Sequence, residues 1–234
     1  MEKGSLKQLV KNFSDDSIGT VNSTLINRNN GTVPSFIRDW LNRTALAESV
    51  SGSSLNVYGA LYAQRKSIYR PVPHDLLFDD LFVVVSTIVQ GKRLVQEKNA
   101  IIYDIGFGKY YQKERIERLT RGLLIFLLKH WQLILQMPFQ PLVRFLIFKY
   151  LKLLMPFVHI LFAATVLFLL IPIIHPVIIF LSASLLSILL ALPHSRVSLF
   201  LFARINYYFM TSTLKFIFLK KRDINWQKLK VDPS

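Results

Sequence analysis

Two adjacent carboxylates, Asp79 and Asp80, stand directly before an apolar run, LFVVVSTIV, in a chain with 29 Lys and Arg against 14 Asp and Glu. Neighbouring carboxylates repel, so one of the pair is expected to face inward. Two roles fit. Acidic residues cap the free N–H groups at a helix start and oppose the macrodipole there. A positioned carboxylate also serves as a general base. Downstream, beyond QGKRLVQEKNAIIYD, lies a basic cluster, YYQKERIERLTRG. A carboxylate, then a strand, then an arginine cluster is a layout for moving a group off a phosphate. The carboxylate takes a proton and the guanidiniums neutralise the leaving group. Other polar residues carry less. His159 and His175 sit in apolar runs and His194 at a helix end, without metal-ligand spacing. No Ser/His/Asp set or lysine nucleophile stands out.

Mixed helices and strands must position the pair. SLKQLVKNF reads as a short amphipathic helix, SIGTVNSTLI as a strand with a polar insert, and PSFIRDWLNRTALAESVSG as a helix ending in a Ser/Gly loop. NVYGALYAQRKSIY reads as a strand leading into a turn. DDLFVVVSTIVQGKRL suits a helix opened by its acidic residues and stopped at Gly91, and RLVQEKNAIIYDIG a strand or strand pair.

The second half has another composition. Residues 153–193 contain no Asp, Glu, Lys or Arg. This is long enough for two spans of about 20 residues, broken at Pro172 and Pro176. Residues 153–173 and 176–192 are therefore expected to form a transmembrane hairpin. Positive-inside logic places both hairpin ends in the cytoplasm and His175 outside. Residues 119–135 and 142–154, separated by Pro138 and Pro141, carry Trp131 and spaced cations, the pattern of amphipathic helices in the membrane interface. Residues 196–221 are long enough to span but carry cations behind them, which favours a re-entrant or interfacial helix. The formal charge of +15 concentrates here. Cations that flank apolar runs mark a cytoplasmic membrane face rather than a nucleic-acid surface. The absence of cysteine excludes disulfides and cysteine-ligated metal, and MEKGSLKQLV lacks the apolar core of a signal peptide.

The order GALYAQRKSIY, DDLFV, GKRLVQEKNA, RIERLTRG, followed by interfacial and membrane helices, resembles the C-terminal half of a membrane-bound family-two glycosyltransferase, an inverting enzyme of the GT-A fold related to polysaccharide synthases. The likeness covers almost the whole chain. It implies an α/β partial GT-A domain over residues 1–122 (the acceptor side), interfacial helices over 123–152, the transmembrane hairpin over 153–193, and an interfacial or re-entrant helix and cytoplasmic tail over 194–234. The expected location is the cytoplasmic (inner) membrane, with the catalytic part inside the cell.

The resemblance also implies roles. The family's acidic motif falls on Asp79 and Asp80. Asp80 would be the base that takes the acceptor hydroxyl proton, with a pKa raised by its neighbour, and Asp79 would order the motif. Attack in line on the anomeric carbon would then invert its configuration. The family's Gln-x-x-Arg-Trp motif falls on Arg115, Arg118 and Leu119. Arg118 would support the diphosphate or the acceptor channel, and Leu119 in place of Trp argues against sugar stacking. Gly59 and Ala60 match small residues that let backbone approach the sugar and the acidic motif. Arg65 and Lys66 match a basic pair after them, whose plainer role is a solvated surface. The complete family enzyme uses Mg2+ or Mn2+ on an Asp-x-Asp motif and a nucleotide-binding half. Neither is recognised here, and Asp15-Asp16 has the wrong context. The chain is therefore expected to be inactive alone. It would meet nucleotide sugar and glycan or lipid-linked acceptor only with a nucleotide-binding half in cis or trans. Membrane lipids are the expected partners and nucleic acid is not. The alternative is a non-catalytic membrane-anchored remnant or interaction subunit.

Overall fold

The polar insert of the first long strand shows how this chain builds its core. In the computed structural model, which describes residues 1–28, 35–73, 76–105, 112–170 and 193–219, β1 (Ile18–Arg28) is the central strand of a three-stranded sheet. It pairs antiparallel with β2 (Tyr62–Gln64) and parallel with β3 (Arg93–Ile105). Val21 packs with Leu9 of α1 (Ser5–Lys11), Val95 and Ala100. Thr20, Asn22, Ser23 and Thr24 are just as buried, which is tolerable only because each is hydrogen-bonded. The Thr20 and Thr87 hydroxyls lie 2.7 Å apart. Asn22 Oδ1 accepts from the Tyr58 N–H at 2.8 Å, Ser23 donates to the Leu61 carbonyl and Thr24 to that of Glu97.

RLVQEKNAIIYDI forms one strand, β3, with an irregularity where Ser23 pairs with Glu97 and Thr24 with Ile101. An unpaired strand edge is a hazard for an open sheet. The end of α2 (Ser35–Ser51) and the turn after it answer it in part. Leu94 N–H donates to Ser53 Oγ, Gln96 N–H donates to Ser49 Oγ, and the Leu94 carbonyl accepts from Ser54 N–H. Two arginines fasten the loops. Arg93 donates to the carbonyls of Ser49 and Gly52, where a cation opposes the C-terminal end of the α2 dipole. Arg65 donates to those of Phe13, Asp15 and Ile18 and lies over the Phe13 ring. Arg65 is thus an internal clamp rather than the solvated cation of the plainer reading, whereas Lys66 is exposed.

α3 (Asp79–Val89) is buried along most of its length. It packs against α4 (Gln112–Leu135), which bends at His130, where φ is −122°. The His130 ring lies 5.2 Å from Phe126 and 6.1 Å from Phe82. α4 runs on through residue 122. α5 (Phe139–Leu146) begins after Pro138. Only that proline separates the two helices. Pro141 sits in the first turn of α5, where a missing N–H breaks no bond. α5 is latched to the α2–β2 connection by Arg144, whose Nη2 donates to the Ser53 carbonyl at 3.2 Å.

The chain divides at residues 147 and 148 into two compact units. The second opens with a π-wound turn, Ile147–Leu151, leading into α6 (Lys152–Leu170). Pro156 cannot donate to the Lys152 carbonyl, which weakens regular α-winding here. α7 (Pro193–Leu219) is one unbroken helix of 27 residues. It runs antiparallel to α6: Lys152 Nζ lies 5.9 Å over the Phe209 ring, while His159 donates from Nδ1 to Asn206 Oδ1 at 3.3 Å and lies against Phe202. Phe139–Val166 is long and apolar enough to cross a membrane. The expected second arm, residues 176–192, and His175 lie outside the described residues. His194 lies in the first turn of α7, and His159, exposed, bridges α6 to α7.

Candidate active site

Helix α3 opens on the acidic pair, and the pair is split by its first turn. Successive helical residues point about 100° apart, so only one carboxylate can face the sheet. Asp79 is exposed, and its Oδ1 accepts from the Asp80 N–H at 2.9 Å. That bond satisfies one of the free donors of the helix start. Asp80 turns inward against Gly59. A Cβ built on Gly59 would lie 2.5 Å from Asp80 Oδ1 and 3.3 Å from both Asp80 Cγ and Oδ2. No residue but glycine admits the carboxylate at this distance. The spacing of Gly59 and Asp80 in the sequence gives no hint of contact; the turn before β2 and the start of α3 make it.

The turn holding Gly59 is itself anchored. Tyr58 N–H donates to Asn22, which is fully buried on β1, and the Tyr58 hydroxyl donates to Asn42 Oδ1 at 3.4 Å. Ala60 follows as an exposed residue of the same turn. Tyr62, two residues on, is half-buried. Burial first, then the negative charges of Asp79 and Asp80, push its phenol above the ordinary 10.0. Tyr62 and Asn22 are positioning candidates absent from the sequence reading. Tyr62 stood inside the GALYA motif, but a buried Asn on a strand has no sequence signature.

The helix that carries the basic cluster makes a second close approach. Gly122 of α4 sits on the ring of Phe78, the residue just before the acidic pair, so tightly that a Cβ would collide with it. Arg115 and Arg118 precede Gly122 by seven and four residues and share its helix face. Arg115 is half-buried and Arg118 exposed. The signal for Gly122 was a glycine inside a strongly helical pattern.

Among the described residues no three His, Cys, Asp or Glu side chains converge as metal ligands. Asp15 instead accepts from Ser17 N–H and lies 3.8 Å from Arg93, and Asp16 pairs with Arg65 at 3.3 Å. The residues described do not fit the metal that the family resemblance implies, and no step through a metal is derived.

No protein-family model matches the sequence, and no curated protein does. The structure is similar to that of the mannosyltransferase PcManGT from Pyrobaculum calidifontis, solved in complex with GDP-Man and Mn2+. The TM-score is 0.63 at 18% identity, over 94% of this chain and 59% of that one. The chain therefore has a glycosyltransferase-like fold and spans about three fifths of the length of that enzyme.

Proposed function

We propose that this chain is the acceptor side of a membrane-bound, inverting glycosyltransferase of the family-two, GT-A type. It acts in polysaccharide biosynthesis, moving a hexosyl group from a nucleotide sugar to a glycan or lipid-linked acceptor. The observation that carries the reading is the seat of Asp80 on Gly59, a carboxylate held at a fixed height against bare backbone. Asp80 takes the acceptor hydroxyl proton as that oxygen attacks the anomeric carbon from the face opposite the nucleotide diphosphate. Asp79 holds the helix start that fixes Asp80, and Arg115 and Arg118 offset charge on the leaving diphosphate. The fold shared with a GDP-mannose enzyme supports a nucleotide sugar as donor. The donor and its divalent metal belong with a nucleotide-binding half, in cis or trans.

The test joins the chain to such a half and follows transfer of labelled sugar to membrane acceptors. Asp80→Asn should lower transfer at least about 100-fold, the usual worth of a general base. Full transfer by Asp80→Asn would sink the base assignment and leave the non-catalytic, membrane-anchored subunit as the better reading. Gly59→Ala should lower transfer more than about tenfold with the circular dichroism spectrum retained, because the added methyl displaces the carboxylate.

A further inference from the structure

The second unit is positively charged. Residues 148–221 contain no Asp or Glu, yet hold Lys149, Lys152, Arg196, Arg204 and Lys215 among others. Most such cations reach outward along their stems. Lys152 does not have that freedom. It is half-buried between α6 and α7, with its ammonium over the Phe209 ring, and among the described residues it has no ion pair or hydrogen bond. Its neighbourhood holds a second orphan. Ser212 is 6% exposed, and its Oγ has no hydrogen-bond partner among the described residues. Phe209 and Ser212 are one turn apart on α7. α6, which carries Lys152, follows directly on the π-wound turn Ile147–Leu151. Such turns recur at binding sites, and this one adds the charge of Lys149.

A half-buried ammonium over an aromatic ring and a buried hydroxyl, both donors, call for an anionic acceptor. The unit supplies none, and the walls continue as the exposed apolar surface of α6, where Leu154, Val158, Leu161 and Phe162 lie. An anion with an attached hydrocarbon chain satisfies both halves of this surface. We propose that Lys152 and Ser212 bind the phosphate headgroup of an anionic membrane lipid, with Phe209 as one wall and the acyl chains along α6. The site does not depend on the sugar-transfer reading, and rests instead on α6 lying in the membrane.

The full chain, purified in detergent, tests the site by thermal melting and native mass spectrometry against dioleoyl phosphatidylglycerol, dioleoylglycerol and inorganic phosphate. Phosphatidylglycerol should raise the melting temperature and remain bound, and dioleoylglycerol should do neither. Lys152→Met and the milder Ser212→Ala should each raise the lipid concentration for a half-maximal shift, Lys152→Met by roughly tenfold or more, the worth of a charge-assisted hydrogen bond. Lys215→Met, which removes an exposed cation of the same unit, should leave that concentration unchanged. An equal response in Ser212→Ala and Lys215→Met, or an equal loss in both, overturns the site in favour of diffuse attraction. An equal shift from inorganic phosphate overturns the lipid as the source of the anion.

Discussion

Asp80 presses its carboxylate onto Gly59 while Asp79, one residue earlier, faces water and holds the Asp80 N–H. Asp79 satisfies one N–H of the helix start, and Asp80 takes the inward position. Tyr62 reports on this arrangement from outside it. Its folded-state pKa lies above 10.0 through burial and the two carboxylates. A neutral phenol favoured by the fold gives stability that is fully present below about pH 10 and lost as pH rises above it. Tyr62→Phe should therefore remove part of the alkaline loss of stability. In the difference spectrum near 295 nm, the tyrosine missing from the variant should be one that ionises later than exposed tyrosines. A missing phenolate with an ordinary titration would show that Tyr62 is not packed beside the pair.

At the scale of elements, two glycines set two distances. Gly59 fixes the gap between the turn before β2 and the start of α3. Gly122 fixes that between α4 and Phe78, the residue before the acidic pair. Gly122 has a cost, since glycine inside a helix is less favourable than alanine by up to about 1 kcal/mol. Gly122→Ala gains that amount but drives a methyl into the Phe78 ring, and overpacking a tight contact costs about 1–3 kcal/mol. The contact should win, so Gly122→Ala should lower the melting temperature of the detergent-solubilised chain by a few degrees. A rise would mean that α4 is not pinned on Phe78. The sheet edge carries a related lesson. A sequence view of β3 sees an unpaired edge, whereas Ser49, Ser53 and Ser54 engage its outer backbone at Leu94 and Gln96.

For the whole molecule, α4 and α5 belong to the unit that carries the acidic pair, and the second unit starts at residue 148. Within the first unit, α4 presents Leu128, Trp131 and Leu135 outward and α5 presents Phe139, Val143 and Leu146. Stripes at this spacing on consecutive helices suit the interface of a bilayer. On the proposed membrane-bound reading, the chain should stay with membranes through carbonate and 1 M salt washes and be released only by detergent. Release by salt alone would mean that its cations, not its apolar helices, hold it there.

Most elements were legible in the sequence because their periodicities are strong. The polar insert of SIGTVNSTLI did not hide β1, the acidic pair does open α3, and the α4 and α6 patterns are long. The short β2, the unbroken α4 and the placement of Pro141 were less so, since each depends on what the segment packs against. The acidic pair and the arginine cluster were visible as residue types in a suggestive order, but Asn22, Tyr62 and Gly122 were not visible as parts of a site. The sequence by itself determined the charge imbalance, the apolar run, the local helix and strand patterns and the presence of a carboxylate pair, because these are properties of neighbours along the chain. Only the tertiary structure decided which carboxylate turns inward, that bare backbone at Gly59 receives it, and that α4 meets Phe78. Those distances are set between residues far apart in sequence, where hydrophobic periodicity carries no information and close packing does.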